Sequence, residues 1–111
     1  MPIAEERGMG TAPLPAYEAF ARSANTKFIV EFSSWKQLEI RLTQVSEKEE
    51  SVLQEQFSLL FHGPIDEFMP QGTYTLRHTT LGTFDLFLVP IGQNQEGFSY
   101  EAVFNLLRQS S

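Results

Sequence analysis

The chain contains no cysteine. That removes disulfides, thiolate metal ligands and thiol nucleophiles together. It leaves the compartment open, because proteins in either redox environment do without cysteine. Only two histidines are present, His62 and His78. Eight Lys and Arg stand against fourteen acids, for a net charge of −6, and the cations are scattered. We therefore expect no nucleic-acid partner, since no basic patch could follow a phosphate backbone. An anionic lipid surface is disfavoured for the same reason. No apolar run reaches the roughly 20 residues of a membrane-spanning helix. The opening stretch MPIAEERGMGTAP lacks the apolar core of a signal peptide. We expect cytoplasmic synthesis without Sec export, with the final location unassigned. Phosphate-binding glycine loops and the G-x-S-x-G nucleophile elbow are also missing.

What the chain does have is aromatic mass. Ten Phe, three Tyr and one Trp serve 111 residues. A chain of this length forms one domain and buries roughly two-thirds of its unfolded surface, enough for a single core.

Residues 1–13 carry Pro2, Gly8, Gly10 and Pro13 without periodicity and read as an N-terminal arm. Residues 14–111 then form a single β domain. Its first segment, 14–24, predicts a short helix. Pro15 suits the first turn, Tyr17, Phe20, Ala21 and Ala24 share one stripe, and Asn25 can close it. Then the apolar period becomes two. Phe28, Val30 and Phe32 alternate with Lys27, Ile29 and Glu31, and Ser33-Ser34 offers a turn or bulge. Leu38, Ile40 and Leu42 alternate with Glu39, Arg41 and Thr43. SEKEE (46–50) reads as a solvated charged loop.

From Phe57 to Leu107 four further strands read as an antiparallel meander: FSLLF (57–61), TYTLRH (73–78), FDLFLVP (84–90) and SYEAVFNLL (99–107). Gly63, Pro64, Gly72 and Gly82 are read as turn residues. The fold class is mainly β: a six-stranded antiparallel small barrel or curved sandwich with one short N-terminal helix. A three-residue loop Thr80-Leu81-Gly82, with Gly82 in the left-handed region, predicts that Thr79 pairs with Thr83. His78 then faces Phe84, Leu76 faces Leu86, Tyr74 faces Leu88 and Arg77 faces Asp85. A long polar loop, IGQNQEG, separates the last two strands, with Leu88, Leu86 and Phe84 facing Tyr100, Ala102 and Phe104. Pro90 belongs at a strand end, because it cannot donate to a ladder.

One core face emerges: Tyr74, Leu76, Phe84, Leu86, Leu88, Tyr100, Ala102 and Phe104. The opposite face is not fully polar, since Leu60, Phe87, Val89 and Val103 lie on it. Two covers are open for it, the 14–24 helix or another subunit or partner. These four residues and Glu101 form the candidate interface. Glu101 needs a partner if partly buried, and Arg41 or Arg77 could serve.

Chemistry finds little purchase. On the meander register His62 and His78 lie on the order of 20 Å apart. A shared metal ion requires ligand atoms about 4–5 Å apart at most. Asp66 and Glu67, and Glu47, Glu49 and Glu50, fall in loops without calcium-loop spacing or a partner histidine. We expect no catalytic, cofactor-binding or metal-binding residues, no cofactor and no enzyme.

The residues Phe57-Ser58-Leu59-Leu60-Phe61, Gly63-Pro64, Gln71-Gly72-Thr73-Tyr74, Leu81-Gly82, Phe87-Leu88-Val89-Pro90 and Tyr100-Glu101-Ala102-Val103-Phe104-Asn105 resemble a small bacterial domain family of unknown function. With residues 14–46 the resemblance covers most of the chain and leaves out 1–13. It implies a compact β domain and supplies no activity. Its association with phage-tail-collar-like proteins implies a place in a secreted or surface assembly. The leading expectation is a structural or assembly module that contacts itself or a larger protein assembly. The alternative is a small-ligand-binding β-barrel with an aromatic-lined mouth.

Overall fold

A computed structural model describes residues 14–107. The N-terminal arm, residues 1–13, and residues 108–111 lie outside the described residues. One helix, α1 (Tyr17–Arg22), precedes β1 (Lys27–Ser33), β2 (Lys36–Val45), β3 (Glu49–Glu50), β4 (Gln54–Pro64), β5 (Gly72–His78), β6 (Gly82–Asn94) and β7 (Gly97–Leu107). All pairings are antiparallel. The strand order is β2-β1-β5-β6-β7-β4-β3, and β2 also pairs with β4. That last pairing closes six strands into a barrel, and β3 lies on β4 outside the closed ring.

The period-two alternation sends one side chain of each pair into the lumen. Phe28, Val30, Ile40, Leu42, Leu59, Phe61, Leu76, Phe84, Leu88 and Tyr100 are buried there. In a six-stranded barrel such side chains fill the interior and leave no channel. Both ends are stoppered. At one end Phe20 of α1 reaches in among Phe57, Phe84 and Phe104, with ring centroids 6.5, 5.8 and 5.5 Å away. At the other end Met69 is buried, and its backbone N–H donates to the buried Tyr100 hydroxyl at 2.9 Å.

Several expectations need correction. The last four strands are not a simple meander: β4 pairs with β7 and β2, and β5 pairs with β1 and β6. The connection between β4 and β5 carries the Met69 plug across the barrel end, so it cannot make a hairpin. Gly63 and Pro64 are strand residues, opposite Phe98 and Gly97. Gly63 sits in a tight place, since a Cβ there would lie 3.1 Å from Ile40 Cγ2 and 3.2 Å from Tyr100. Gly72 opens β5, opposite Leu88.

The β5–β6 register slides by two positions without changing which residues face the lumen. Leu76 pairs with Phe84, Tyr74 with Leu86, Thr75 with Asp85 and His78 with Gly82. Gly82 does hold a left-handed φ of +87°. The turn starts one residue earlier because the His78 ring caps it: Nδ1 accepts the N–H groups of Thr80 and Leu81 at 3.1 and 3.2 Å. Arg77 consequently leaves Asp85 for Glu31 on β1, at 2.6 Å. Asp85 accepts the Thr75 hydroxyl at 2.7 Å instead.

The IGQNQEG segment is not a loop either. β6 and β7 run on to Asn94 opposite Gly97, with Gln95 and Glu96 as the turn. The Asn94 carboxamide oxygen accepts the N–H groups of Glu96 and Gly97, which is how a short asparagine side chain builds such a turn. Pro90 sits inside β6, next to a bulge at Ile91, where its missing donor is tolerated. Within SEKEE, Glu49 and Glu50 form β3. Lys48 ties that segment to Glu18 of α1, at 3.2 Å. In α1 the stripe is rotated: Phe20 and Ser23 are buried and Ala21 is exposed. Asn25 follows with a left-handed φ of 68°, as its role at the helix end requires.

Candidate functional site at the β6–β7 seam

The outward face of β4, β7 and β6 holds the predicted interface residues. Cross-strand pairing sets Leu60 opposite Glu101 and Glu101 opposite Val89, so three of them form one row. Val103 lies opposite Ser58 one step along, and Phe87 stands on β6 opposite Thr73. Leu60 and Val89 are half-buried, whereas Phe87 is 51% and Val103 66% exposed. Leu106 and Leu107 continue the exposed apolar surface at the end of β7, and Val52 and Leu53 lie just before β4. The helix does not cover this face. Phe20 points into the lumen, and Tyr17 packs edge-on against Phe57 and donates its hydroxyl to the Ser46 carbonyl at 3.1 Å.

The Glu101 carboxylate has no hydrogen bond or ion pair to another described residue, although its backbone is in the ladder. Neither expected arginine reaches it. Arg77 holds Glu31, and Arg41 donates to the Asn25 carbonyl at 2.7 Å.

The backbone beneath this face is unusual. The β6–β7 ladder runs from Asn94 opposite Gly97 to Val89 opposite Glu101 and goes no further among the described residues. Below that point β6 stays paired with β5, and β7 stays paired with β4, to their ends. A cleft of about 280 Å³ opens between them, lined by Leu14, Asp85, Phe87, Val103, Asn105 and Leu106 among others. From inside, Phe20 contacts Phe84 of β6 and Phe104 of β7, so one ring bridges the two diverging strands.

The two histidines lie elsewhere on the barrel. His78 Nε2 lies 2.8 Å from Thr26 Oγ1, a hydroxyl–imidazole pair that no sequence spacing announces. The hydroxyl donates to the Ser23 carbonyl at 2.6 Å, so its oxygen accepts from the ring. Nδ1 accepts two amides, which fixes the neutral ring with its proton on Nε2. Both nitrogens are committed to structure, and the ring has no free lone pair to take a proton from a nucleophile. Burial lowers the His78 pKa from the ordinary histidine value, consistent with that neutral form.

His62 lies on β4, between Arg41 of β2 and Ser99 of β7. Its Nε2 is buried with no hydrogen-bond partner. Beside it an open cleft of about 700 Å³ is lined by Glu39, Arg41, Thr43, His62, Asn94 and Glu96. Among the described residues no three His, Asp or Glu gather to hold a metal ion.

The class these features define is a closed, side-chain-filled, six-stranded antiparallel barrel with one short helix, whose apolar outer face flanks a partly unzipped seam. Residues 15–104 match the family described as "Domain of unknown function (DUF6916)", and the chain belongs to that family. No curated protein matches the chain, and no solved structure does.

Proposed function

We propose that the protein is a non-enzymatic docking module whose outer face around Phe87 and Val103 joins copies of itself or a larger protein assembly. One observation carries this reading. Two large apolar side chains stand more than half exposed on a sheet whose core is already filled, and no described residue covers them. Contiguous exposed apolar surface on a folded domain is a mark of an interaction site. The charge of −6 favours a protein partner over a nucleic acid. No helix among the described residues is long and apolar enough to cross a membrane. The resemblance to a bacterial family associated with phage-tail-collar-like proteins makes a tail-like or surface assembly the setting we propose.

The alternative, a small-ligand barrel, loses the lumen to Phe20, Met69 and the core between them. It retains the cleft beside His62, whose orphaned Nε2 is the observation in its favour. Phe87→Glu tests the leading reading. The variant should keep its melting temperature, because the side chain contributes little to the core, and should lose association. Association is read as a mass above 12.6 kDa by light scattering, or as incorporation into the native assembly. A wild-type monomer at high concentration that is destabilised by Phe87→Glu would show that the patch serves the fold alone.

A further inference from the structure

We propose that the β6–β7 seam is a strand-acceptor slot that takes one extended segment of a different protein, apolar at alternate positions and carrying Lys or Arg. The inference deepens the docking reading above and rests on it.

The backbone supplies the first part of the argument. β6 from Gly82 to Leu88 is hydrogen-bonded along its β5 edge, and β7 from Ala102 to Leu107 along its β4 edge. Their other edges face one another across the cleft without a ladder. Two facing rows of main-chain donors and acceptors are a template for an added strand, because unpaired backbone polar groups near a core are costly. Six residues of strand span roughly 20 Å, the length of a short peptide in strand-addition complexes.

Side chains supply the second part. The walls offer Phe87, Val103, Leu106 and Leu14 to apolar side chains of the incoming strand. Asp85 is the one charged residue in the cleft lining, and no Lys or Arg lines it. Glu55, opposite Leu106, and Glu101, opposite Val89, add negative charge on the flanking strands. A cation in the occupant therefore meets complementary charge. A second copy of this chain is the poorer occupant. Each copy carries −6, and the long described strands are already committed to the barrel.

Hydrogen exchange on the full chain is the first measurement. Amides of residues 83–88 and 102–107 that point into the seam should exchange at least tenfold faster than those of the Val89–Asn94 ladder. Protection equal to that ladder overturns the slot. If deleting residues 1–13 releases such protection, the chain's own segment fills the seam and a foreign strand is again excluded.

The full chain is then used to select from a displayed library of random heptapeptides. Enriched sequences should alternate β-branched or aromatic residues with Lys or Arg. A synthetic copy should slow the seam amides at least tenfold and lose binding when its backbone is N-methylated at alternate residues. Asp85→Lys should weaken the selected peptide at least tenfold, and Asp85→Asn less. No enrichment, or binding indifferent to N-methylation, overturns the proposal. A dimer by light scattering with seam amides protected at the interface also overturns it, in favour of a second copy. If Phe87→Glu abolishes assembly while the free seam is already protected, docking survives and strand addition fails.

Discussion

The two halves of the β6–β7 hairpin are in opposite states, and the half with the weaker strand sequence, carrying Pro90 and Gly92, is the one that pairs. In the half near the turn, Val89 to Asn94 pairs with Gly97 to Glu101, and a carboxamide closes the end. In the other half the strands part, although it is there that β6 alternates cleanly and buries Phe84, Leu86 and Leu88, while Val89–Asn94 of the zipped half buries none of its side chains. Strand propensity therefore does not decide pairing here. Local turn chemistry zips one half, and a bulge at Ile91 marks where the ladder changes register. In the parted half, Phe20 from α1 touches a ring on each strand, Phe84 on β6 and Phe104 on β7.

The largest expected effect tests that role. Phe20→Ala removes a fully buried ring that touches Phe57, Phe84 and Phe104. Truncating such a ring costs about 3–5 kcal/mol, readable from chemical denaturation. Exchange in the parted half should accelerate more than exchange near the turn. Uniform acceleration would show that Phe20 is only generic core.

The zipped half is tested from the other direction. Gly63→Val pushes a branched side chain against Ile40 and Tyr100, where a Cβ already comes within 3.1–3.2 Å. Overpacking of this kind costs about 1–3 kcal/mol. Its damage should spread to the Met69 stopper through Tyr100, whose hydroxyl accepts the Met69 amide. Unchanged fluorescence and exchange around Met69 would separate the two.

Gly82→Val is smaller and purely conformational. No atom lies within 4 Å of a Cβ at Gly82, yet its φ is +87°. A β-branched residue there should cost more than about 1 kcal/mol, and Gly82→Asn distinctly less. Equal losses would mean that volume, not φ, decides.

Most of the barrel was legible as alternation. The lumen-facing set Leu76, Phe84, Leu86, Leu88, Tyr100, Ala102 and Phe104 is buried as the period of two requires. Slides of two positions preserve that parity, which is why the faces were right while the partners in the register were wrong. The partners depended on side chains that cap turns, His78 and Asn94, and their roles show only when the backbone curls around them. The β4–β7 and β2–β4 pairings join residues far apart in sequence and leave no local signal. In the candidate site, the apolar excess of Phe87 and Val103 was readable from parity. The parted seam between them was not, because the alternation of β6 and β7 runs on past the point where their ladder stops.

The smallest effect concerns pH and the parted end of the barrel, where His78 caps the β5–β6 turn. Its ring is neutral in the fold, accepting two amides at Nδ1 and donating from Nε2 to Thr26. Burial lowers its pKa below the ordinary value of about 6.5. The unfolded chain therefore takes up the proton first as pH falls. The stability that His78 contributes is complete above the ordinary histidine value and declines as pH drops through the lowered folded value. Denaturation midpoints taken from about pH 8 to about pH 5 should fall more steeply for the wild type than for His78→Gln, which titrates nothing at this position. Carboxylates elsewhere act on both proteins alike below that range, so the difference between the two curves isolates the ring. Protection of the Thr80 and Leu81 amides, relative to their intrinsic exchange rates, should fall over the same interval, while that of the Asn94 turn, built on an amide that does not titrate, stays unchanged. Parallel curves would mean that the turn survives protonation, and that the register of β5 against β6 is held by Gly82 without the histidine.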